Sequence, residues 1–114
     1  MDLTAYLDHI RADYLKWQKI DSVTDPTTLA IRKEMAEEFC SNLSVDTGSK
    51  YIKVCTGRSG HGRSVHSFIV MKDDAKFKAG DILKPASWAA PARNFARGNV
   101  ITGKFTNVTW TGPV

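Results

Sequence analysis

Along residues 3–17 the apolar positions Leu3, Leu7, Ile10, Tyr14 and Trp17 recur at intervals of four, three, four and three. That spacing predicts one stripe of a helix, with Asp2 placed to cap its start. The stripe is narrow and too short for a free-standing coiled coil, so it implies packing inside the domain. Asp25-Pro26 then reads as an N-cap followed by proline at the first helical position, where a missing N–H costs nothing. The second helix is expected to run to about Ser41, with Asn42 as its stop. Ile31, Met35 and Phe39 mark its core face, widened by Leu29, Ala36 and Cys40.

Beyond Gly48 the pattern changes from helical spacing to β-branched and aromatic runs. Lys50–Thr56 and Ser64–Met71 read as strands joined through Gly57–Arg63. Paired symmetrically, Ile52 would face Phe68 and Val54 would face His66. Ile52, Val54, His66, Phe68 and Val70 would then form the core face, with Tyr51, Lys53, Cys55, Val65, Ser67 and Ile69 on the other. Asp73-Asp74 marks a turn, and Gly80-Asp81 a bend or bulge within Lys76–Leu83. Lys84–Gly98, with two prolines, is a long connection without a strand. Asn99–Thr102 and Val108–Thr111 read as short closing strands. Two helices followed by about five strands predict an α+β fold. The helices would pack on an antiparallel sheet or a small, partly open β-barrel, all within one domain spanning residues 1–114.

Composition sharpens this picture chiefly through charge. The 114 residues are 42% hydrophobic and 25% charged, ordinary values for a globular chain. Residues 1–49 carry five basic and nine acidic side chains, whereas residues 50–114 carry eleven basic and three acidic. The acidic helical part (1–42) thus precedes a basic β part (50–114). A polyanion or an acidic protein is the partner such a split implies, unless the two parts neutralise one another or a neighbouring subunit. No apolar run is long enough for a membrane helix and the N-terminus lacks a leader pattern, so a cytoplasmic setting is expected. Cys40 and Cys55 are expected as free thiols.

Most of the candidate chemistry falls away on spacing. Gly57–Ser64, GRSGHGRS, approximates a phosphate-binding loop with Arg63 in the lysine position, but a strand follows it where a helix is required. What survives is a glycine-permitted nest in which Arg58 and Arg63 meet an anion, set against an ordinary solvated hairpin tip. Cys55, His61 and His66 match no zinc spacing, so no metal is assigned. No orienting third group accompanies a histidine and a serine or cysteine nucleophile, so no catalytic residue is assigned and no cofactor is called for. The long connection holds Trp88, Arg93, Asn94, Phe95 and Arg97 within ten residues. Together they offer planes on which a base can stack and guanidiniums that meet phosphate. The plainer alternative is a plug over the end of the sheet.

Across Phe77–Val100, the GDIL step, the tryptophan followed by A-P-A and the closing A-R-G-N-V resemble small uncharacterised proteins of tailed bacteriophages. The resemblance supplies no activity. It implies a host-cell cytoplasm and an accessory or host-directed binding role. The expectation is a non-enzymatic protein that binds a nucleic acid or nucleotide through Arg58, Arg63, Trp88, Arg93, Asn94, Phe95 and Arg97. The alternative is a protein–protein module, either an inhibitor of a host enzyme or a self-assembling subunit.

Overall fold

The computed structural model describes residues 1–57 and 62–114. Helices α1 (Thr4–Gln18) and α2 (Pro26–Asn42) flank a single 3-10 turn at Ile20–Ser22. Six strands follow: β1 (Ser44–Thr47), β2 (Tyr51–Gly57), β3 (Arg63–Val70), β4 (Ile82–Leu83), β5 (Val108–Thr109) and β6 (Gly112–Pro113). Strands β1-β2-β3-β4 form one antiparallel sheet in that order, and β5-β6 form a separate two-stranded hairpin. The fold is α+β, with the helices against one face of the sheet and no closed barrel among the described residues.

The second helix begins as the sequence predicts: Asp25 Oδ2 accepts the Thr28 N–H at 2.9 Å, with Pro26 just behind it. The first does not, because its N-cap is Leu3; Asp2, one residue earlier, accepts the Thr4 N–H at 2.9 Å. The buried faces differ from the expected ones. On α1 the inward residues are Leu3, Tyr6, Ile10, Tyr14 and Gln18, while Trp17 is 56% exposed. A four-three seam has a period of 3.5, and a straight helix of period 3.6 drifts away from it toward the C-terminus. Tyr6 is drawn inward because its hydroxyl finds Ser67. On α2 the contact centres on buried Ala36, whose small side chain permits close approach. Phe39 stacks on Tyr14 with ring centroids 4.1 Å apart, whereas Ile31 and Met35, expected in the core, are 53% and 43% exposed.

The expected hairpin register holds only near the turn, where Cys55 pairs with Val65 and Thr56 with Ser64. Past Val54 the register slips by one, so that Val54 meets Ser67 and Ile52 meets Ile69. His66 is the extra residue of this bulge. A one-residue slip exchanges the faces of everything beyond it. Ile69 therefore joins Ile52 and Val54 under the helices, and Phe68 and Val70 turn to the opposite face with Phe77 and Leu83. That is the reverse of the expected assignment for Phe68, Val70 and Ile69.

Two further strand expectations are corrected. β1 was not anticipated: SVDT is polar and its residues are mostly exposed, as suits a sheet edge. Asn99–Thr102 is a turn rather than a strand, because Asn99 acts as a hub. Its Oδ1 accepts the N–H groups of Ile101 and Thr102, and its Nδ2 donates to Ala79 O and Asp81 Oδ1. Gly80 does make the expected bend, at φ +88°, where an added Cβ would lie 2.8 Å from Asn99 Oδ1.

Three side chains clip the β5-β6 hairpin to the core. His9 Nε2 donates to Val108 O at 2.8 Å, Asp13 Oδ2 accepts the Trp110 N–H at 2.8 Å, and His66 Nε2 donates to Thr109 O at 2.8 Å. A carbonyl can only accept, so His66 carries its proton on Nε2 and its Nδ1 accepts from Ser67 Oγ at 2.9 Å. Ser67 Oγ in turn accepts from the Tyr6 hydroxyl at 2.6 Å. A directed chain thus runs from α1 through the bulge to the last hairpin. Burial lowers the pKa of His66 and raises that of Tyr6, which holds both neutral.

Candidate functional site

Alternation along β2 points Tyr51 and Lys53 away from the helices, opposite Val70 and Phe68 of β3. Over this second face lies the connection from Lys84 to Gly98. Ala92 N donates to Lys84 O, and Ala86 N and Ser87 N both donate to Ala90 O, so residues 86–90 close into a tight loop with Trp88 near its tip. The Trp88 ring is 47% exposed. Lys53 Nζ lies 4.2 Å from its centroid and the Arg63 guanidinium 5.6 Å from it. Arg63 stands at the start of β3 and forks onto Asp46 of β1 at 3.0 and 3.3 Å. That partner raises its pKa and keeps the cation fixed beside the tryptophan.

Grooves of about 300 Å³ and 310 Å³ reach this loop, the first at Ala89 and the second at Pro85–Trp88. One is lined by Lys50, Tyr51, Lys53 and Phe68, the other by Ser64, Val65, Pro85 and Trp88. Cations and rings continue along the face. Lys53 lies 5.8 Å from the Phe68 ring, Phe68 meets Tyr51 edge-on at 5.8 Å, and the Tyr51 hydroxyl accepts from Arg93. Arg93 lies 4.8 Å from the Phe77 ring and pairs with Asp74 at 2.9 Å. Asp74 is held ionised far below the usual carboxylate range, first by the N–H groups of Phe77 and Lys76 and then by Arg93.

Of the seven residues the sequence marks, Arg63 and Trp88 come together and Arg93 stands further along the same face. Asn94, Phe95 and Arg97 form a clasp of their own. Arg97 is only 8% exposed, donates to Asn94 Oδ1 at 2.7 Å and Phe95 O at 3.0 Å, and lies 3.9 Å from the Phe95 ring. Its guanidinium is therefore engaged within the chain. Its buried Nε has no partner among the described residues. Arg58 and His61 lie outside the described residues. Lys53 and Tyr51 were missed as site residues, although the alternation of KYIKVC already set them on the face away from Ile52 and Val54.

His66 and Ser67 touch, but both are buried and engaged in the chain to Tyr6 and Thr109. Cys40 and Cys55 are free thiols whose pKa values burial raises, which disfavours the reactive thiolate. Among the described residues no three metal-ligating side chains are grouped. No helix among them is long and apolar enough to cross a membrane.

Fold and site together define a small α+β protein whose sheet carries helices on one face and a cation–aromatic surface on the other. The chain belongs to the family of unknown function DUF7717, which matches residues 3–113. No curated protein and no solved structure matches it.

Proposed function

We propose that this is a non-enzymatic accessory protein that binds a phosphate-bearing ligand, nucleic acid before free nucleotide, on the open face of its sheet. The observation that carries this reading is an exposed indole, Trp88, with Lys53 and Arg63 beside its ring and a groove along its loop. An exposed ring stacks any base, and neighbouring cations meet the phosphates that flank it. Further cations, Lys50 and Arg93, lie along the same face and suit a strand that continues past the ring, which is why nucleic acid ranks above a mononucleotide. We place the activity in the cytoplasm, that of a bacterial host if the phage-like resemblance of Phe77–Val100 holds.

Anisotropy of labelled single-stranded DNA, duplex DNA and RNA at low and moderate salt tests the reading. Single strands should bind best, with affinity falling as salt rises. Binding absent at low salt, or indifferent to salt, overturns the nucleic-acid version. Thermal shift with nucleotides tests the other version, because a ligand of the native state alone raises its stability. A protein–protein role is favoured by a different observation, the exposure of Trp17, Ile31 and Met35 on the helical side. Sizing the pure protein, and lysate capture with and without nuclease, separates the two.

A further inference from the structure

A further cavity, of about 290 Å³, lies where α1, α2, the end of β2 and the β5-β6 hairpin converge. Tyr14, Trp17, Phe39 and Trp110 line it, with Met35 and Glu38. The rings are set at angles to one another. Tyr14 and Phe39 stack in parallel, Trp110 stands at 90° to both, and Trp17 tilts 48° from Trp110 at 4.9 Å. Two hydrogen bonds tie down this lining: the Trp110 backbone N–H donates to Asp13 Oδ2 at 2.8 Å, and the Tyr14 hydroxyl accepts from Gln18 at 2.8 Å. Glu38 is the one charged residue among the described residues lining the cavity.

Aromatic faces are electron-rich, and several of them about one space attract a cation with a low cost of desolvation. A methylated ammonium fits better than a bare one, because its apolar methyl groups meet the rings and its charge is weakly hydrated. We propose that this aromatic cup binds an alkylammonium group of the trimethylammonium type, with Glu38 supplying a counter-charge. It is a separate site from the sheet face, opposite in ligand charge and built from different residues, so either proposal can fail without the other.

The test is to titrate the full chain with choline, with Nα-acetyl-trimethyllysine methylamide, and with 3,3-dimethylbutan-1-ol. The last has the shape of choline with carbon in place of the charged nitrogen. Indole N–H resonances report the location, since Trp17 and Trp110 line the cup and Trp88 lies on the other face. Saturable shifts of Trp17 and Trp110 but not Trp88, with the neutral alcohol about 3- to 30-fold weaker, are expected. Choline binding assigns the cup to a free headgroup, and binding of the lysine derivative alone assigns it to a modified side chain. Glu38→Gln should weaken binding several-fold, and Trp17→Leu, which replaces a half-exposed ring, should weaken it more. If Trp17→Leu does not fold, Glu38→Gln and the charge comparison still decide. Absence of saturation up to tens of millimolar, or equal binding of choline and the alcohol, overturns the proposal.

Discussion

On the helical side of β2 and β3, Ile52, Val54 and Ile69 meet Leu3, Tyr6 and Ile10, and the polar groups of His66 and Ser67 are joined in a single directed chain. On the other side Phe68 and Val70 meet Phe77 and Leu83, while Lys53, Arg63 and Arg93 lie against rings and carboxylates at the surface. One side is neutral and closed; the other is charged and open. The difference lies in what each polar group faces. A buried group left unpaired costs its full desolvation, so the helical side demands complete pairing. An exposed cation loses little when its partner leaves, so the open side can exchange an internal contact for a ligand.

The strongest way to break this contrast is His66→Leu. It leaves the Thr109 carbonyl and part of the Ser67 hydroxyl unpaired in the core, at a cost of about 2–4 kcal/mol read from urea denaturation. Tyr6→Phe removes only the far end of the chain and should cost about 1 kcal/mol. If both variants cost less than a few tenths, the chain is not what closes that side.

Acid should act through the same residue. Burial lowers the pKa of His66 below its ordinary 6.5 in the folded protein, so the unfolded chain takes up that proton first as pH falls. The contribution of His66 is therefore level above about pH 7 and declines as pH drops through 6.5 toward 5. The depressed carboxylates Asp2, Asp25 and Asp74 add their losses lower, as pH falls through the ordinary carboxylate value of 3.8. His66→Gln should flatten the decline between about pH 7 and 5, measured as urea midpoints against wild type. An unchanged slope would remove His66 as its source.

Legibility in the sequence followed the same division. The start of the second helix was plain because Asp25 accepts an N–H three residues on and Pro26 occupies the first helical position. Faces were not, because they depend on partners far along the chain. Tyr6 turns inward for Ser67, 61 residues away, and His66 bulges toward Thr109, 43 residues away. That one bulge reversed Phe68, Val70 and Ile69. The arginines of the long connection were legible as a cluster but not as a surface. Arg97 was drawn down onto Asn94 and Phe95, its near neighbours, while Trp88 reached Lys53 and Arg63 across the sheet.

Smaller effects on stability are expected on the open side. Arg93→Met removes the contacts to Asp74 and the Tyr51 hydroxyl and should lower the thermal midpoint less than Tyr6→Phe does, the charge being solvated. A larger drop would make Arg93 a structural post, and the open face would then begin at Tyr51.

Trp88→Ala should perturb the fold least and the proposed function most. The ring is half exposed near a loop tip, and the loop is closed by backbone bonds at Ala86, Ser87 and Ala92 that do not involve it. Its loss should shift stability by no more than about 0.5 kcal/mol. Stacking contributes about 1–3 kcal/mol per base, so single-strand affinity should fall about tenfold or more. Trp17→Leu, on the helical side, should leave that affinity unchanged. Equal losses in the two variants would mean that nucleic acid does not distinguish the faces, and the open side would then owe its charge to solubility alone.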